Sequence, residues 1–560
     1  MRITAFSMFA VGLGLAGSHL VACADSAEDC SAIATCGATA GSSSGNAGKS
    51  GGGAGNEGGS DGAGSSSGGS QGTSGSSGSS GSSGTAGEGG QGGAGPVECT
   101  GDVADDPVCW TTNDQGVFVS SDIGDDVAGN GTREAPYASI TKGIASAAGK
   151  NVYVCLGAAD FYEEKLTITE AVDGVRIYGG FECDNWTHDT HRYVGVQSPE
   201  PIALRIQSLK TGAQIENVRF VAADGTPSDK SSFGAFVTDS KGVVLRRVEI
   251  TAGDGAKGVD GNSGTAGMNG STAGPAPTGK VAICPNDIVP NSQTGGDWGS
   301  VDHCGSVGGL GGTAFKSTAN GGPGGPGAPT ENVHPLGAIE NGGPPGGTGG
   351  PGTEGDAGTV GAQASALGTF AKAGFSPANG KAGTDGYSGQ GGGGGGASKG
   401  SGTCVGASGG AGGMGGCGGK GAEPGLGGGA SVGLFSWNSD VTLDASEIVS
   451  SVGGGGGGGG DGGLRGQGAS GGEGGLGVGA IAQGGDGGDG GNGGDGGSGS
   501  GGTGGPSYAL VYSGTKPMYD LADTTLTEGD GGDPGLGGSV SDVMAPAGTA
   551  GDSAPELEIQ

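Results

Sequence analysis

Short apolar runs alternate with polar residues at a period of two: Val117 and Val119, Val152 and Val154, Leu166 and Ile168, Val175 and Ile177, Leu204 and Ile206. Gly, Asp or polar turn residues bound each run, which predicts many short strands, each with one buried face. A larger unit is superimposed. Ala213, Ile215, Val218 and Phe220 are spaced two, three, two; so are Val243, Leu245, Val248 and Ile250, then Val441, Leu443, Ser446 and Ile448, and more weakly Tyr519, Leu521, Thr524 and Leu526. That spacing predicts a strand, a bend and a second strand, both facing inward, as one side of a stacked coil. The second and third copies also share Glu249 with Glu447 and Ile250 with Ile448.

The first two copies are one ordinary coil apart, whereas glycine tracts separate the later ones. The tracts open just after the unit, at Gly253 behind Ile250 and at Gly453 behind Ile448. They are therefore expected to be insertions at one recurring corner, projecting from one flank. The expected fold is all-β: a parallel β-helix interrupted by long glycine-rich insertions. Its predicted parts are a signal peptide at 1–22, a Gly/Ser-rich tether at 23–96, and a cap with coils at 97–252. An insertion at 253–430, a coil at 431–452, an insertion at 453–506, a last coil at 507–528 and an acidic glycine-rich tail at 529–560 follow.

The opening of the coil region carries a family likeness. Val117-Phe118-Val119-Ser120-Ser121, Gly124-Asp125, Gly131-Thr132, Ala135-Pro136-Tyr137, Ile140 and Ile144 lead into Val152-Tyr153-Val154, and Val175 to Phe181 reads as a further coil. This stretch resembles the start of right-handed parallel β-helix proteins of the pectate-lyase-like superfamily, in which a strand, a Gly/Asp loop, a Pro-aromatic pair and a capping helix precede the first coil. The resemblance covers roughly Val117 to Thr251. It implies the right-handed fold, and it brings polysaccharide lyase, hydrolase and carbohydrate-binding readings into view.

Composition changes the picture in the tracts. Of 560 residues, 148 are glycine, so much of the chain has no side chains with which to build an apolar core. Glycine recurs at every third position from Gly255 to Gly270 and from Gly343 to Gly361, and Gly-Gly-Asp and Gly-Gly-Asn triplets run from Gly484 to Gly497. A period of three without proline density suits extended threefold polyglycine helices rather than collagen. Disorder is the competing reading, because glycine loses the most backbone entropy on ordering. In composition the tracts resemble the PGRS-type glycine-rich domains of mycobacterial surface proteins and, more loosely, glycine-rich antifreeze proteins.

The formal net charge of -33 opposes nucleic acid and anionic lipid headgroups as partners and keeps a glycine-rich surface hydrated. The N-terminus reads as an export signal, with Arg2 followed by an apolar run too short to make a good membrane span. Leu20-Val21-Ala22-Cys23 resembles the lipobox of bacterial lipoproteins, which implies a diacylated Cys23 as lipid anchor and an outer-membrane or cell-surface location. Cleavage after Ala24, giving a freely secreted protein, is the alternative.

Beyond Cys23, Cys30, Cys36, Cys99, Cys109, Cys155, Cys183, Cys284, Cys304, Cys404 and Cys417 are disulfide candidates in an oxidising compartment. Cys284 with Cys304, and Cys404 with Cys417, are expected to staple the first insertion, and Cys183 to pair with Cys155.

The remaining chemistry is sparse. Cys183, Asp184, His188 and His191 are residue types that ligate metals, but a disulfide and a polar turn account for them, so no metal site is assigned. The Gly-Gly-Asp triplets lack the aliphatic residue a calcium-binding β-roll needs, leaving at most weak, diffuse calcium binding and no cofactor. Asp239, Arg246, Arg247 and Glu249 supply the carboxylates and bases of a polysaccharide-cleaving site, although alternation makes them outward partners of Leu245, Val248 and Ile250. No catalytic residue is assigned. The sequence points to a non-catalytic surface protein displaying glycine-rich segments for adhesion, matrix or envelope structure, with polysaccharide or surface proteins as partners. A carbohydrate-active β-helix enzyme and a carbohydrate-binding module are the alternatives.

Overall fold

The computed structural model describes residues 99, 101–157, 161–228, 230–285, 288–301, 303–329 and 346–560. The expected signal peptide and tether, with Cys23, Cys30 and Cys36, lie outside the described residues.

The described chain is all-β, with several parallel sheets and few helical turns, an arrangement compatible with a parallel β-helix. Three sheets are visited in turn. The first stacks Gly116–Ser120, Asn151–Cys155, Arg176–Phe181, Ala213–Glu216, Val243–Arg246 and Val441–Asp444. The second stacks Val194–Gln197, Val218–Val221, Glu249–Thr251, Glu447–Val449 and Thr525–Thr527. The third stacks Leu166–Ile168, Ile202–Gln207, Ser232–Thr238, Ser431–Trp437, Ser507–Ser513 and Ser553–Ile559. Val119, Leu166, Ile177, Leu204, Ile215, Phe220, Leu245, Ile250, Leu434, Ile448 and Leu510 all turn inward into one buried cluster.

The repeat seen in the sequence is the register of these sheets. Val243 faces Ala213 on one side and Val441 on the other, and Ile250 lies between Phe220 and Ile448. A step of three between inward residues is impossible in a strand that simply alternates. One residue must leave the extended conformation. Asn217, Arg247 and Ala445, at equivalent positions of the bend, have φ of 55°, 48° and 48°. Asn tolerates this left-handed region, whereas Arg and Ala are strained in it.

The fourth copy departs from the sequence reading in its first half. Thr442 bridges to Met518 rather than to Asp520, as the spacing required. Leu521, expected to face inward, is 73% exposed in a turn. The register resumes at Leu526, opposite Ile448, so the extra residues are absorbed by the corner.

The glycine tracts all connect the same two sheets. Residues 252–430 link Glu249–Thr251 to Ser431–Trp437, residues 450–506 link Glu447–Val449 to Ser507–Ser513, and residues 528–552 link Thr525–Thr527 to Ser553–Ile559. The segment read from sequence as a tail thus ends in a strand paired with Ser507–Ser513. That last strand sets Glu556 against Leu510 and Glu558 against Tyr512. Charges at core-facing positions discourage a further strand from adding to the open edge.

Aromatic residues also cover the outer faces. Phe118, Tyr153, Tyr178, Phe181 and Trp186 cluster at the N-terminal end. On the outside of the third sheet, Phe233, Phe236, Phe435 and Tyr508 are covered by Phe370 and Phe375 of a hairpin, Gly368–Ala371 with Gly374–Pro377. Nothing in the glycine-rich surroundings announced that hairpin beyond its two phenylalanines.

Ala445 is exposed, so replacing it removes little packing. Left-handed strain of about 1–2 kcal/mol for a non-glycine residue outweighs the extra unfolded-state freedom of glycine, about 0.5–1 kcal/mol. Ala445→Gly is expected to stabilise the fold by roughly 0.5–1 kcal/mol, measured by denaturant titration; a loss of stability would contradict the bend assignment.

Candidate functional site

The glycine-triplet stretches of the tracts contain no β-strand, yet their backbone amides are paired with one another at every third residue. Gly255, Gly258, Gly261, Gly264, Gly267 and Gly270 donate in order to the carbonyls of Val452, Gly455, Gly458, Asp461, Leu464 and Gln467. Both segments run the same way. Gly484, Gly487, Gly490, Gly493 and Gly496 donate to Gly475, Gly472, Ala469, Gly466 and Gly463, and there the segments run in opposite directions. A third row joins Gly349, Gly352, Gly355 and Gly358 to Asp486, Asp489, Asn492 and Asp495. Each inner segment therefore contacts several neighbours, and successive residues of one triplet point at different ones.

This pairing explains why glycine is needed. A Cβ on Gly488 would sit 2.0 Å from the carbonyl oxygen of Gly350, and Gly488 itself donates to Gly393 and accepts from Gly413. Backbone meets backbone with no room for a methyl. Gly455 is different: the nearest atom to an added Cβ would be 3.6 Å away, so its third of the segment faces outward.

The third residue of each triplet has a defined task. The side chains of Asp486, Asp489, Asn492, Asp495 and Ser498 accept from the amides of Gly474, Gly471, Gly468, Arg465 and Gly462, at 2.7, 3.0, 3.1, 2.8 and 3.1 Å. Among the described residues these amides have no backbone acceptor, and the polar side chains supply one. Asp260 on the amide of Gly458 and Asp385 on that of Gly421 do the same elsewhere. The Gly458 amide and then Lys257 hold the Asp260 carboxyl below its ordinary value, and Lys420 followed by the Gly421 amide does so for Asp385. The Gly-Gly-Asp triplets that invited comparison with calcium sites are thus engaged as backbone caps, a role their period of three matches.

Disulfides tie part of this array together. Cys284 bonds to Cys404 and Cys304 to Cys417. The expected pairing within each local couple is replaced by cross-links between distant segments of the first tract, because Ile283 and Val405 pair as an antiparallel bridge and bring Cys284 and Cys404 together. Cys155 pairs with Cys183 as expected, and Cys99 with Cys109. Cys304, Cys417 and His303 lie close enough to hold a metal, with His303 Nε2 3.6 Å from the Cys417 sulfur. The disulfide leaves no thiolate there to do so.

The other sequence candidates separate. Cys183 is spent in its disulfide, Asp184 and His191 are exposed, and His188 packs its ring 4.8 Å from that of Phe181, with burial pushing its pKa down. Glu249 pairs with Arg219 on the second sheet, and Asp239 pairs with Lys372 and accepts from Asn438 at another corner. Arg246 and Arg247 both reach Glu216, which is 1% exposed, and Arg246 also holds Asp102 and, at 2.7 Å, Asp444. These four residues do not converge on one cleft. The Glu216 network, missed in the sequence, fastens the N-terminal arm at Asp102 to the first sheet.

The chain matches no family model, no curated protein and no solved structure.

Gly488→Ala is expected to destabilise the protein by about 2 kcal/mol or more, since overpacking costs about 1–3 kcal/mol and the neighbouring hydrogen bonds weaken as well. Gly455→Ala, by contrast, should shift the thermal midpoint little. Equal effects in parallel melting experiments would contradict the paired-tract arrangement.

Proposed function

We propose that the protein is a non-catalytic cell-surface lipoprotein that displays a slab of polyglycine-II-like helices from one flank of a right-handed β-helix. Cys23 is the anchor, and residues 23–96 form the tether, with a mean reach on the order of 40–50 Å as a flexible Gly/Ser chain. Two or more acyl chains on Cys23 make attachment durable. The slab serves adhesion, matrix or envelope structure, and its partners are polysaccharide or other surface proteins. No cofactor enters this reading. The likeness of Val117 to Thr251 to the pectate-lyase-like superfamily is taken to concern architecture.

One observation carries the reading: the tracts leave the second sheet and return to the third at a common corner, and they hydrogen-bond to each other in register. A long chain with glycine at each close contact builds a broad, stiff surface rather than a cleft. Its outer rows present side chains such as Asp254, Lys257, Asp260, Asp461, Asp530 and Asp533, and the overall charge of -33 keeps that surface hydrated. The dispersal of Asp239, Arg246, Arg247 and Glu249 weighs against polysaccharide cleavage by those groups.

In cells labelled with a fatty-acid analogue, the wild type is expected to carry label and sediment with membranes, whereas Cys23→Ala loses the label and becomes soluble. Unchanged membrane association of Cys23→Ala would overturn the anchor. Release of unsaturated or reducing ends from acidic polysaccharide by the purified protein would overturn the non-catalytic reading.

A further inference from the structure

The chain has 24 basic residues against 57 acidic ones, yet three cations gather in one concavity. Lys165, Arg205 and Lys230 line a groove of about 380 Å³ on the outside of the third sheet, walled by Phe233, Phe236 and Phe375. The fold assembles it from parts distant in sequence. Lys165 immediately precedes Leu166–Ile168, Arg205 lies in Ile202–Gln207, and Lys230 precedes Ser232–Thr238, so three successive rungs each contribute one charge. Phe375 comes from the hairpin folded over the sheet.

The cations differ in how they are satisfied. Lys165 is paired with Glu200 at 2.5 Å on the rim. The Arg205 guanidinium lies over the Phe236 ring, 4.7 Å from its centroid, and Lys230 donates to the Gly427 carbonyl at 3.2 Å. Among the described residues, neither Arg205 nor Lys230 has a carboxylate in ion-pair contact. Burial lowers the pKa of both, and for Arg205 the Glu200 carboxylate on the same groove works the other way. A partly desolvated cation without a direct ion-pair contact is costly, and an anion entering beside it recovers part of that cost.

The surroundings restrict what that anion is. A long polyanion would be repelled by a molecule of net charge -33, whereas a small anion is drawn into a local positive concavity. A volume of about 380 Å³ suits one ring. Arg205 offers a planar fork that matches a carboxylate, and Phe375 offers an apolar wall beside it.

We propose that this groove binds a small carboxylate, with the acid group held between Arg205 and Lys230 and a single sugar-sized ring lying against Phe375. The site is independent of the lipid anchor and of the polyglycine slab's role.

The test uses the purified full chain and glucuronate as probe, with glucose as the neutral ring of similar size, followed by calorimetry or by chemical-shift changes. Glucuronate is expected to bind saturably and to weaken as salt is raised, and glucose to bind at least tenfold more weakly. Arg205→Gln and Lys230→Gln are each expected to lower glucuronate affinity by about tenfold or more, as loss of a charge-assisted hydrogen bond does. Lys399→Gln, which makes the same charge change at an exposed position outside the groove, should leave affinity unchanged. Since Arg205 also packs on Phe236, the unfolding midpoint of each variant is measured, and the Lys230 variant keeps the test open if Arg205→Gln fails to fold. Absence of saturable glucuronate binding, equal binding of glucose, or indifference of folded Arg205 and Lys230 variants would overturn the proposal.

Discussion

The glycine tracts depend on backbone amides meeting backbone carbonyls across a gap that admits no Cβ. A glycine residue loses on the order of 1–2 kcal/mol of backbone freedom on ordering, with about 0.5–1 kcal/mol more than alanine would lose. A single hydrogen bond returns a net of about 0.5–1.5 kcal/mol. One tract pairing with one neighbour would therefore barely hold. Order follows from contact with several neighbours at once, each receiving a different residue of the triplet, so that dispersion across closely approaching backbones adds to the hydrogen bonds.

The coil makes that collective arrangement reachable. It fixes both ends of each tract at one corner, between the second and third sheets, and so brings segments far apart in sequence alongside one another. Gly258 and Gly455 become neighbours because Ile250 and Ile448 already are. Disulfides from Cys284 to Cys404 and from Cys304 to Cys417 then join segments over 100 residues apart. Towards the outer surface, side chains replace glycine, and Asp and Asn take over the amides that no further tract reaches. The same side chains stop another tract from docking, much as Glu556 and Glu558 close the coil.

The legible part of the fold was the part written in apolar side chains. The spacing of Val243, Leu245, Val248 and Ile250 exposed the coil because buried residues must recur in register, and the corner followed from where Gly253 and Gly453 begin. The first half of the fourth copy misled because Leu521 matches the spacing but sits in a turn that lengthens the corner. Cys155 and Cys183 were readable from adjoining rungs, whereas Cys284 and Cys304 were paired wrongly because glycine carries no signal of which tract lies beside which. For the same reason Asp486 and Asp489 looked like loose cation ligands: their amide partners, Gly474 and Gly471, become visible only once the tracts are laid together. The groove around Arg205 was hidden by its assembly from three rungs and a hairpin.

The most direct measurement is amide hydrogen exchange resolved by residue across 453–505 of the folded protein. Protection is predicted at the glycines of the 484–505 tract, whose amides donate to backbone carbonyls of neighbouring segments, comparable with that of Val243–Arg246 in the coil, and it should extend to Gly471 and Gly474, whose amides are held by Asp489 and Asp486. Exchange of the tract glycines at unstructured rates while the coil stays protected would contradict the account.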